Sequence, residues 1–134
     1  MTIYLTLEDV LEIHRQVIAE TCGSTGIRDV GLLDSAIHRP QASFAGIDLY
    51  PGLAEKAAAL MHSLILNHPF LDGNKRTAFT AADVFLRLNG QNFAASEDEL
   101  FEFVTAVADG QMSFEQIAPW IETHLVEIRG SARR

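Results

Sequence analysis

His68-Pro69-Phe70-Leu71-Asp72-Gly73-Asn74-Lys75-Arg76-Thr77 sits where one strongly apolar helix ends and another begins. Upstream, Leu53 to Leu66 is apolar nearly all round, with only Glu55, Lys56, His62 and Ser63 as a narrow polar stripe. A helix of that kind belongs at the centre of a bundle. Downstream, a second helix is predicted from about Asn74 to Asn89. Ala78, Ala82, Phe85 and Leu88 mark its buried face, and Arg76, Thr80, Asp83 and Arg87 its polar face. Gly90 is its natural stop. Between the two, Pro69 bars helical geometry for His68 and predicts an extended residue at the helix exit.

The remaining punctuation also reads as helices. Thr6-Leu7-Glu8-Asp9 is an N-cap signature for a helix ending near Cys22-Gly23. Asp29 can cap a short helix carrying Leu32, Leu33, Ala36 and Ile37, which must stop before Pro40. Gln41 to Tyr50 reads as an irregular connection, after which Pro51 suits a first helical position. Ser96-Glu97-Asp98-Glu99 opens a helix to about Ala108, and Ser113-Phe114-Glu115-Gln116 opens a last one to about Ile128. Pro119 either kinks that last helix or marks a later start. Ile3 to Leu5 and Asn92 to Ala94 read as short extended pieces. The expectation is an all-α bundle of about six helices in one domain, residues 1–134, with the ten-residue stretch joining its two central helices.

Composition excludes several function classes. The 134 residues are 48% hydrophobic, enough for a core without staples. The single cysteine, Cys22, excludes an internal disulfide framework and fits a reducing, cytoplasmic compartment. A net charge of −8 argues against a duplex-DNA binder, which needs a basic footprint, and against a polybasic membrane anchor. No basic n-region with an apolar run opens the chain, and no apolar stretch is long enough to cross a bilayer.

Lys75 and Arg76 fall in the first turn of the downstream helix. The N-terminal end of a helix carries a partial positive charge, so cations there are disfavoured unless an anion binds between them. Free backbone N–H groups, the dipole and two side-chain cations would then converge on one phosphate-like ligand. Gly73 permits close backbone approach, and Asn74 can add a side-chain donor to the same anion hole. His68 is the right group to take a proton from a hydroxyl near neutral pH. Asp72 is either a hard oxygen ligand for Mg²⁺, which needs only one or two carboxylates beside substrate phosphates, or a helix N-cap. Phe70 reads as a core anchor for the loop, and Thr77 as a helix residue without chemistry. A proton acceptor, a metal carboxylate and an anion cradle in one loop match phosphoryl or nucleotidyl transfer to a hydroxyl. No P-loop, zinc spacing or Gly-x-Ser-x-Gly turn is present.

These residues resemble the Fic/Doc superfamily, and within it the Doc (death-on-curing) toxin subgroup. Its general motif is His-x-Phe-x-Asp/Glu-Gly-Asn-Gly-Arg-x-x-Arg, which His68, Phe70, Asp72, Gly73, Asn74 and Arg76 match in order. Gly26-Ile27-Arg28-Asp29, Gly31-Leu32-Leu33, Arg39-Pro40-Gln41 and Phe85-Leu86-Arg87-Leu88-Asn89-Gly90 are also Doc-like. The resemblance implies His68 as general base, Asp72 as Mg²⁺ ligand, and Gly73, Asn74, Lys75 and Arg76 as the cradle for ATP phosphates. Lys75 replaces the second motif glycine, and Phe79 stands where AMP-transferring members carry a second arginine. Doc proteins share both departures, which implies transfer of the γ-phosphate rather than AMP. The resemblance further implies a threonine of elongation factor Tu as target, arrest of translation, and restraint by a Phd-type antitoxin. No glutamate here is followed by Gly or Asn, so the inhibitory segment of many Fic enzymes is not expected in this chain. The competing readings are an AMP transferase, a binding module without activity, and a helical DNA-binding domain that the acidic balance disfavours.

Overall fold

Thr6 opens the first helix as the sequence predicts: its hydroxyl accepts from Asp9 N–H, and Asp9 Oδ2 accepts from Thr6 N–H. The structure, a computed structural model, describes residues 1–128. Residues 129–134 of the expected single domain lie outside that range. Six helices follow one another: α1 (Leu7–Thr21), α2 (Val30–His38), α3 (Leu53–Asn67), α4 (Asn74–Leu88), α5 (Glu97–Ala108) and α6 (Phe114–Thr123). The all-α expectation holds, with two small antiparallel ribbons added: β1 (Ser43–Phe44) with β2 (Ile47–Asp48), and β3 (Gln91–Phe93) with β4 (Leu125–Glu127).

Helix α3 is the axle of the bundle, packed against α2, α4, α5 and α6. Ala57, Ala58, Ala59, Leu60, Met61, Leu64 and Ile65 are all buried on it, and the run of alanines lets neighbouring helices approach closely. Two residues of its predicted polar stripe are buried, while Glu55 and His62 stay half-buried. Lys56 is only 2% exposed and Ser63 is buried. Lys56 Nζ donates to Asp48 Oδ2 and to the Tyr50 carbonyl, and lies over the Tyr4 ring. A buried ammonium survives here because protein oxygens replace its water.

Several boundaries differ from the sequence reading. Pro51 precedes the helix rather than opening it: Gly52 is the N-cap, and its N–H donates to Glu55 Oε1. Pro40 lies in a short 3-10 turn, Arg39–Gln41, that continues α2. The connection after it contains the β1–β2 hairpin, whose two-residue tip, Ala45 and Gly46, has φ of 52° and 80°. That is the left-handed pair a tight hairpin turn demands. Leu88 is 46% exposed, not buried, and Ala81 and Leu86 complete the α4 core face instead.

The last helix does not reach Ile128. It starts at its Ser113 cap, accommodates Pro119 and ends at Thr123. The chain then pairs as β4 with β3, in the register Gln91↔Glu127, Asn92↔Val126 and Phe93↔Leu125. Only Leu125 of the three is half-buried, so the ladder to β3 rather than a buried face makes this segment a strand. Ile3 to Leu5 forms no strand. Ile3 instead exchanges hydrogen bonds with the Asn89 side chain just beyond α4.

Candidate active site

The loop between α3 and α4 is braced on one side by residues 26–29. Arg28 and Asp29 N–H both donate to Pro69 O at 2.7 and 3.1 Å, and Leu71 N–H donates to Gly26 O at 3.2 Å. Phe70 is the predicted anchor: it is 1% exposed and stacks on the His14 ring with centroids 3.8 Å apart. His14 Nε2 stands 2.9 Å from the Asp72 carbonyl oxygen. A carbonyl can only accept, so this nitrogen carries the hydrogen.

Asn74, the side-chain donor expected in the anion hole, makes its hydrogen bonds to the loop itself. Its amide is turned back on the loop, where Oδ1 accepts from Phe70 N–H and Nδ2 donates to Phe70 O, each at 3.0 Å. Both ends of the side chain thus help hold the loop closed, and Nδ2 keeps a second N–H.

His68 is exposed and serves as the C-cap of α3. Its backbone is left-handed, with φ 46° and ψ 56°, and not extended as predicted. Pro69 does exclude the right-handed helical basin. The basin adopted instead turns the Asn67 and His68 carbonyls toward the Arg28 guanidinium, which donates to both.

Asp72 is exposed, and it is not the N-cap of α4. Its Oδ1 accepts from Gly73 N–H at 2.8 Å and its Oδ2 from Ser24 N–H at 3.1 Å. Each oxygen keeps a further lone pair for a cation. Gly73 is the N-cap, with φ 76°. A Cβ there would meet Ile18 Cδ1 at 3.1 Å, so glycine is needed for fit against α1 as well as for backbone sign. No side chain caps α4, so its first N–H groups stay available to an anion. Lys75 and Arg76 are both exposed in that first turn, and Arg76 Nη2 pairs with Glu20 Oε1 at 3.3 Å.

All six predicted site residues, His68, Asp72, Gly73, Asn74, Lys75 and Arg76, border one cleft of about 720 Å³. The cleft is also lined by Phe79 on α4 and by Leu100, Phe101 and Val104 on α5, an apolar stretch beside Glu97. Thr105 also lines it, with a buried Oγ1 that has no hydrogen-bond partner. Among the described residues no three His, Cys, Asp or Glu side chains stand together as a metal cage. A divalent ion held at Asp72 would therefore draw other ligands from a bound phosphate or from water.

Sequence reasoning missed three contributors. His14 and Arg28 lie far from the loop in sequence and act through backbone carbonyls, which no side-chain pattern reveals. The α5 contribution was visible only as a helix face; in the structure Phe101 on it is 69% exposed.

Comparison with known proteins supplies the family. The family model described as the Fic/DOC family matches residues 4–86. The chain is 51% identical over 98 residues to "Toxin Doc" of Mycolicibacterium smegmatis (strain ATCC 700084 / mc(2)155), covering 73% of each protein. It is 31% identical over 115 residues to "Protein kinase doc" of Escherichia phage P1, covering 86% of this chain and 90% of that one. No helix among the described residues is long and apolar enough to cross a membrane.

Proposed function

The chain belongs to the Fic/DOC family, and from that premise we propose that it is a cytoplasmic Doc-like toxin acting as a protein Ser/Thr kinase. ATP is the phosphate donor, and Mg²⁺ is the cofactor, held at Asp72. The target proposed is a threonine of elongation factor Tu, whose modification halts translation, and the restraining partner is a Phd-type antitoxin. One observation supports this reading above the rest. An imidazole, a carboxylate with free lone pairs and an uncapped helix N-terminus with two cations border a single cleft. The kinase name of the phage relative supports the same direction.

In this mechanism the triphosphate tail lies over the first turn of α4. Backbone N–H groups, Lys75 and Arg76 offset its charge. Mg²⁺ would add further charge neutralisation across the phosphate oxygens. His68 accepts the hydroxyl proton as the hydroxyl oxygen bonds to the γ-phosphorus. The bond from that phosphorus to the bridging oxygen breaks, and ADP leaves. Gly73 brings the backbone close, while Asn74 holds the loop in shape rather than touching the nucleotide. The base and sugar have the apolar α5 wall available.

Labelled ATP tests the proposal. Incubation with a bacterial lysate and purified elongation factor Tu is expected to transfer label from the γ position and none from the α position. Label from the α position would make the protein a nucleotidyl transferase, and label from neither would leave a binding module.

A further inference from the structure

We propose that Arg28 is a positioning residue that sets where the His68 imidazole stands; this rests on reading His68 as the proton acceptor. Two peptide planes flank the His68 Cα, and their orientations are its φ and ψ. The Arg28 guanidinium holds the carbonyl oxygen of each plane, with Nη2 donating to Asn67 O and Nε to His68 O, both at 2.5 Å. One planar cation thus fixes both torsions of a residue 40 positions away. The torsions it fixes, 46° and 56°, lie in the left-handed region that a side chain with a Cβ adopts only when its surroundings demand it.

The same contact answers a second need. His68 and Asn67 end α3, where unpaired carbonyls and the negative end of the helix dipole collect. A guanidinium there is favourable on both counts. Lysine could not replace it, since a point charge cannot hold two divergent carbonyls in a fixed plane. The Arg28 backbone is anchored independently by its N–H to Pro69 O. The side chain can therefore be removed while the main-chain brace stays. The surrounding polar groups have other partners: Asp29 caps α2 through Leu32 N–H, and Asp72 accepts from Ser24 and Gly73.

The test compares Arg28→Ala and Arg28→Lys with the unmodified chain in γ-phosphate transfer. Arg28→Ala is expected to lower kcat by about 10²-fold, the scale of loss for a reacting group displaced by about an ångström. KM for ATP should stay unchanged, because no phosphate contact is removed. Millimolar guanidinium is expected to restore part of the loss, and Arg28→Lys to fall in between. Full kcat in Arg28→Ala, or a loss that merely follows the unfolded fraction without rescue, overturns the proposal. Should Arg28→Ala not fold, the intermediate kcat expected of Arg28→Lys decides. Should the unmodified chain transfer no phosphate, the kinase reading fails and the positioning role is judged by imidazole NMR. The His68 ring signals are then expected to shift and broaden in Arg28→Ala while those of His62 and His124 stay; an unmoved His68 signal rejects the role.

Discussion

Asn74 and Phe70 close the α3–α4 loop on itself, the side-chain amide of one donating to and accepting from the backbone of the other at 3.0 Å in both directions. Asparagine is one of few side chains with a donor and an acceptor at that reach. Asn74→Asp keeps the shape but points a carboxylate at the Phe70 carbonyl. It is expected to lower stability by about 1–3 kcal/mol, read as a fall in Tm, and to weaken ATP binding only as the loop loosens. An unchanged Tm with lost ATP binding would return Asn74 to the anion hole.

His68→Ala is expected to reduce kcat by about 10²–10⁴ with little change in Tm, because the imidazole is exposed and packs against little. Expression without an antitoxin is the cellular counterpart. Growth should recover with His68→Ala, and persistent toxicity would show that the protein acts by binding rather than chemistry.

Arg76 is partly neutralised at rest by Glu20, at 3.3 Å, with both side chains more than half exposed. A phosphate arriving at the α4 N-terminus must compete with that carboxylate. Glu20→Gln is expected to tighten ATP binding about two- to fivefold, the scale of an exposed ion pair, with the gain shrinking as salt is raised. Titration calorimetry at two ionic strengths reads both effects. Weaker binding in Glu20→Gln would mean that the pair orients Arg76 instead of restraining it.

The pattern of the site was legible because it is local. His68 through Arg76 are consecutive, so helix exit, loop and helix start carry them to one cleft wherever the bundle sits. The two central helices were legible from their apolar runs, and four of the helix starts from capping residues. What failed depended on backbone partners that a side-chain pattern does not name. The left-handed His68 follows from Arg28, and the inward turn of Asn74 from a backbone it must close. Strand β4 exists because β3 offers an edge; Leu125-Val126-Glu127 alone continues the helical pattern equally well. The β1–β2 hairpin was hidden because its tip is Ala45-Gly46 rather than an asparagine-glycine pair.

Lys56, on the polar stripe of α3, is buried, so its removal tests how the hairpin root is held. Lys56→Ala is expected to destabilise by about 2–5 kcal/mol, because it opens a cavity beside Tyr4 and strands the Tyr50 carbonyl. Lys56→Met fills most of that volume and should recover part of the loss. Urea unfolding of both variants measures the difference. Equal stability of Lys56→Met and the unmodified chain would mean that the ammonium bonds to Asp48 and Tyr50 contribute nothing net.

His62 sets a pH dependence of stability where α3 meets Arg39. Arg39 Nη1 donates to His62 Nδ1 at 3.1 Å and to Ser63 Oγ at 2.8 Å, while its Nε donates to the Tyr50 hydroxyl at 3.0 Å. A guanidinium has no acceptor, so Nδ1 must stay unprotonated for this cluster to form. Burial, then the Arg39 charge, holds the imidazole pKa below its ordinary 6.5, with Glu115 opposing in part. The unfolded chain titrates at the ordinary value and so binds the extra proton first as pH falls. Stability is therefore expected to be flat above about 6.5 and to decline as pH drops from there toward the lowered native value. His62→Gln, which keeps a hydrogen-bonding group without a titration, should flatten Tm against pH across that window. An undiminished slope in His62→Gln would assign the dependence to carboxylates elsewhere, since those paired in the native state also lose their contribution on acidification.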